Sequence, residues 1–150
     1  MMMHNKAYLD RLSDFGLDSS WLVSVDSQLS VIEDDIVDSG IDLLSLSFYD
    51  DMCVMLCILY RYGVSIPSMG WLSDGGISFE WRLAGNAGIA TMSLYGDRRV
   101  ICGAFIVGIC RVKATYEITD ILGLNCFLIL LVSVFCCDNI VSCFFEFYIL

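Results

Sequence analysis

The chain has a single histidine, His4, near its start. A catalytic base must hold its partner at about 2.6–3.2 Å, and chain ends are poor places to fix such a contact. A Ser-His-Asp or Cys-His pair is therefore not expected. No CxxC or HxxxH spacing occurs, which removes the common zinc patterns. Phosphate-cradling loops are missing too: Gly70 to Gly76 lacks the GxxxxGK[ST] pattern, and no GxGxxG is present. Proline occurs once, at Pro67. The opening MMMHNKAYLDRL has no apolar run behind a basic region, so no secretory signal is expected and a reducing cytoplasm is the expected location. Bases are scarce, with 8 Lys and Arg against 18 Asp and Glu. A net charge of -10 repels phosphate backbones and argues against direct nucleic-acid binding.

What the chain does have is apolar mass. Hydrophobic residues make up 57% of it, and the mean hydropathy is +0.72. Ordinary soluble domains reach about 45–50%, so the excess calls for a partner surface or a membrane. The 150 residues suffice for one domain with its own core. Eight cysteines are scattered at positions 53, 57, 102, 110, 126, 136, 137 and 143. In a reducing compartment they read as small hydrophobes rather than a disulfide framework. Cys53 and Cys57 are four apart and share a helical face; core packing is the expectation, and a thiolate metal pair is the alternative.

Charge is uneven along the chain. Residues 1–51 carry eleven acids against Lys6 and Arg11. The densest group is Glu33, Asp34, Asp35 and Asp38, with Asp42 beyond it. No EF-hand loop accompanies these carboxylates, so they read as one exposed acidic face. Such a face keeps an apolar chain soluble, or steers it to a basic protein partner.

Helical periodicity dominates the first part. Tyr8, Leu9, Leu12 and Phe15 share a face within a helix over about 5–15, and Gly16 follows as a stop. Asp18-Ser19-Ser20 reads as a turn leading to Trp21. Ser30 and Glu33 fit a capping box, with Val31, Ile32, Ile36 and Val37 as a buried stripe and Gly40 as its end. A further helix is predicted over about 50–62. Asp50 and Asp51 suit its N-terminus, Arg61 its C-terminus, and Gly63 its closure.

Beyond Pro67 the period changes. Pro67 and Ser73-Asp74-Gly75-Gly76 mark loops, the latter as turn chemistry. Strict alternation over 77–83 predicts a half-buried strand, with Phe79 and Trp81 inward and Glu80 and Arg82 outward. Strands over 89–94 and 100–107 follow, and 111–118 supplies a fourth. Gly96-Asp97-Arg98-Arg99 is the turn between two of them; it is either solvated or an arginine anchor for a carboxylate. Residues 121–137 form a charge-free run of seventeen. This sits at the short limit for a membrane span of about 20 residues, with a core helix as the alternative.

Ser73-Asp74-Gly75-Gly76-Ile77-Ser78-Phe79-Glu80-Trp81 resembles the "DGGI-x-LEW" signature of small bacterial and phage proteins, mostly uncharacterised. In that resemblance Ser20-Trp21 stands for the helical part, Ile66-Pro67-Ser68 for the loop, and Ser93 to Asp97 for the second strand, over residues 8–108. Ser20 replaces the Gly usual before the Trp, and Trp71-Leu72 replaces more polar residues. The resemblance implies an accessory protein of a mobile element that acts by binding, with no catalytic residues assigned.

The expected fold is α+β: N-terminal helices over 1–63, a three- to four-stranded antiparallel meander over 77–118, and a C-terminal apolar helix or tail over 119–150. The expected function is non-catalytic and needs no cofactor or metal. It is neutralisation of a basic protein partner, antitoxin-like or anti-CRISPR-like, through Glu33, Asp34, Asp35, Asp38 and Asp42. The rival expectation is a small protein anchored in a membrane by residues 121–137.

Overall fold

The computed structural model describes residues 7–39 and 45–136, apart from the Cys110 side chain. Among these residues the fold is α+β: four α-helices and one five-stranded antiparallel sheet.

Helix α1 spans Ala7–Asp14 and buries Tyr8 and Leu12. Phe15, expected on the same buried face, lies past the last turn and is exposed. Helix α2 spans Ser19–Asp38. Its N-cap is Asp18, whose carboxylate accepts the Trp21 N–H at 3.1 Å, satisfying a donor the first turn leaves free. The predicted start at Ser30 is thus wrong by a dozen residues. Nothing between Ser19 and Asp38 breaks a helix, and Trp21, Val25, Leu29, Ile32 and Ile36 form one continuous buried stripe. Val31 and Val37 fall off that stripe and are exposed, against expectation. The predicted stop at Gly40 lies outside the described residues.

Helix α3 spans Leu46–Arg61, with Ser45 as N-cap. It therefore begins before Asp50, and Asp50 and Asp51 sit in its second turn, not at its N-terminus. The C-terminal end closes with two reverse bonds, Gly63 N–H to the Tyr60 carbonyl and Val64 N–H to the Leu59 carbonyl, both 3.1 Å. Gly63 has φ +78°, the left-handed geometry this closure requires.

The strands are β1 (Ser68–Trp71), β2 (Ile77–Arg82), β3 (Gly88–Leu94), β4 (Arg99–Ile106) and β5 (Cys110–Glu117), paired in sequence order. This is one strand more than the upper expectation. The missed strand, β1, has four residues, one of them a glycine, and is too short to show alternation. It pairs Ser68 to Trp71 with Glu80 to Ile77. Its outer edge is covered by Gln28 of α2, which accepts the Met69 N–H at 2.7 Å and donates to the Pro67 carbonyl at 3.0 Å.

One sheet face is buried against the helices. Ile77, Phe79, Trp81, Ala90, Met92, Leu94, Val100, Cys102, Ala104 and Ile106 alternate inward. Trp81 also donates its indole N–H to the Ser65 carbonyl at 3.0 Å. Gly96, at φ +80°, brings the β3–β4 turn so close to α3 that a Cβ would lie 3.1 Å from the Phe48 nitrogen. Helix α4 (Ile121–Leu130) continues into a π-helical turn, Leu131–Phe135. Leu124, Phe127, Leu128, Leu131 and Val134 join the same core cluster as the sheet. Among the described residues no helix is long and apolar enough to cross a membrane.

Candidate functional site

The acidic residues predicted to act together are split by the fold. Asp34, Asp35 and Asp38 are exposed on the C-terminal half of α2. Asp34 and Asp38 are one turn apart, and Asp35 lies three residues from Asp38, so the three share the outward side. Asp42 lies outside the described residues. Glu33 does not belong to this face: it is 3% exposed and accepts the Tyr49 hydroxyl at 2.7 Å. Helical angle explains the split, because Glu33 follows Ile32 and Leu29 on the buried side.

The energetics of the exposed trio are unfavourable. The last turn of α2 contains no basic residue. Carboxylates there face the negative end of the helix dipole, at a cost of about 0.3–1 kcal/mol each, and like charges a turn apart add to it. Among the described residues no hydrogen bond or ion pair uses these side chains.

Other acids are absorbed into the scaffold. Asp51 is fully buried and accepts both the Arg98 N–H at 2.8 Å and its guanidinium at 3.0 Å. Arg98 is held at φ +66° in making this contact. The arginine of the turn is thus an anchor, but for a carboxylate of its own chain. Asp50 pairs with Arg11, and Asp26 accepts the Tyr8 hydroxyl at 3.2 Å. The Tyr8 and Tyr49 rings stack at 5.6 Å, the first bonded to Asp26 and the second to Glu33. Burial, then the neighbouring carboxylates, pushes both phenols well above their ordinary range.

The described buried cysteines, Cys53, Cys57 and Cys102, offer no reactive thiolate. Burial raises Cys53 to about 11 and Cys102 to about 12, and raises Cys57 as well. Protonated thiols are poor nucleophiles and poor metal ligands. Among the described residues no three His, Cys, Asp or Glu side chains converge to hold a metal ion. His4 lies outside those residues.

A second surface escaped sequence reasoning. The outer sheet face carries a shallow groove of about 410 Å³ over Thr91, Ser93, Gly103 and Phe105, rimmed by Arg111 and Lys113. Arg82 and Arg99 lie on this face but are paired, with Glu80 at 3.1 Å and Asp97 at 3.0 Å. The signal was present in the alternation of β3 to β5, whose second face mixes Thr91, Ser93, Gly103, Arg111 and Lys113 with Ile89, Ile101 and Phe105. Within residues 73–81, Asp74 accepts the Tyr95 hydroxyl at 2.9 Å and Trp81 is core. Comparison with protein-family models, curated proteins and solved structures finds no match.

Proposed function

We propose that the chain is a small acidic binding protein that neutralises a basic protein partner, in the manner of an antitoxin or an anti-CRISPR-like inhibitor, without catalysis. The observation that carries this reading is the exposed trio Asp34, Asp35 and Asp38. It stands where the helix dipole and mutual repulsion both oppose it. Local rules are broken in this way mainly at functional positions. Asp42 lies outside the described residues, while Glu33 has a structural duty.

The test begins with affinity capture from the native host by the wild-type chain and by a triple variant, Asp34→Asn, Asp35→Asn and Asp38→Asn. Association kinetics with the captured protein are then measured at low and high salt. A slower on-rate for the variant, and for the wild type as salt rises, is the expected result, because rim charges chiefly steer encounter. Equal on-rates at every salt concentration would reduce the acidic face to a solubility device.

A further inference from the structure

We propose that the free edge of β5 is a self-recognition surface that pairs with a second copy of this chain. Four observations converge there. First, β5 is an edge strand of eight residues, with no strand paired beyond it among the described residues. The opposite edge, β1, is covered by Gln28. Long uncovered edges are templates for another strand.

Second, the hydrogen-bonding parity of β5 is known. Ile118 N–H bonds the Arg98 carbonyl at 2.9 Å, continuing the register in which Glu117 faces Arg99. Even-numbered residues therefore bond towards β4. Arg111, Lys113, Thr115 and Glu117 direct their N–H and carbonyl groups to the open edge.

Third, the charges on that edge complement themselves. Arg111, Lys113 and Glu117 are exposed and make no ion pair with any described residue. An antiparallel copy related by a two-fold axis at Ala114 sets Arg111 opposite Glu117 of the second copy, and the reverse. Lys113 then faces Thr115, and Val112 faces Tyr116. Ala114 meets itself in the closer, non-hydrogen-bonded type of pair, where a small residue fits. Moving the axis to Lys113 would oppose two ammonium groups.

Fourth, the exposed apolar residues fall where such pairing would cover them. Val107 and Ile109 form the β4–β5 hairpin tip, and Ile121 and Leu122 open α4 at the other end of the strand; Leu122 is 90% exposed. Antiparallel pairing lays the tip of one copy beside the α4 start of the other. The product is a ten-stranded sheet with the helices of both copies on one face.

The experiment is sedimentation equilibrium on the full chain, with amide exchange of Lys113 and Thr115 read in parallel. The wild type should be a dimer, with both amides slowed as concentration rises. Arg111→Glu and Glu117→Arg should each weaken dimerisation by about tenfold, since two pairs turn repulsive at once. Combining them should restore it to within about threefold. Lys113→Pro removes an outward N–H that no ladder bond uses, so the monomer should keep its circular dichroism and lose the dimer. A monomeric wild type would overturn the proposal, as would a dimer indifferent to these changes. So would protection of the two amides in a chain that sediments as a monomer, which would mean that the edge is covered from within the same chain.

Discussion

Two carboxylates with similar sequence surroundings meet different fates. Asp50 stays at the surface with Arg11, whereas Asp51, the next residue, is fully buried against Arg98. Charged hydrogen bonds contribute about 1.5–3 kcal/mol each, and an orphaned buried donor costs about 1–3 kcal/mol. Asp51→Ala should therefore lower stability by about 2–3 kcal/mol in urea titration, while Asp50→Ala should change it by under about 1 kcal/mol. Equal effects would mean that the Arg98 contact contributes nothing. Alkaline pH probes the buried thiols and phenols. Cys53 and Cys102, pushed up to about 11 and 12, keep protons that an unfolded thiol releases near 9.0. Above that point the unfolded state binds fewer protons than the folded one, so stability falls as pH rises. Tyr8 and Tyr49, also raised, act in the same sense above 10.0. Urea midpoints should decline from about pH 9 upwards, and Cys102→Ala should flatten the early part of the decline.

At the scale of elements, α2 serves both sides of the molecule. Its inner stripe packs in the core, Gln28 holds the edge strand, and its outer C-terminal turn carries the acidic trio. These roles separate under mutation. Gln28→Ala should cost about 1–2 kcal/mol and speed amide exchange at Met69 before the rest of the sheet responds. The triple Asn variant of the acidic trio should leave the fold intact, or raise the thermal midpoint slightly, because dipole and repulsion terms are relieved. Adding Glu33→Gln should reverse that gain, since it disturbs the buried contact with Tyr49. In β2, Trp81→Ala should cost about 3–5 kcal/mol, given complete loss of a buried ring. A denaturation midpoint unmoved by that change would contradict the packing of the sheet on the helices.

For the molecule as a whole, α4 and the π-helical turn complete the core instead of standing apart from it. Leu124, Phe127, Leu128 and Val134 are buried, and Tyr62 donates to the Asn125 side chain at 3.2 Å. A chain ending at Ile118 should therefore expose a broad apolar surface and aggregate, which light scattering would detect. A monomeric, cooperatively folding truncation would show that the sheet and α1–α3 suffice without α4.

Local pattern alone determined α1, the presence of α3, the meander from β2 to β5 and the inward direction of Phe79 and Trp81. Those features follow from period and turn chemistry, which act over a few residues and demand one buried face. Tertiary structure decided the rest. β1 exists because β2 offers an edge and Gln28 arrives from 41 residues away. The run from Ser19 to Ser30 became helix because its stripe had a sheet and α3 to pack on. Glu33 and Asp51 look like their solvated neighbours in sequence. Each is buried because a partner, Tyr49 at 16 residues' distance and Arg98 at 47, satisfies the carboxylate once water is excluded. A carboxylate's burial depends on such a distant donor, and no local pattern encodes it.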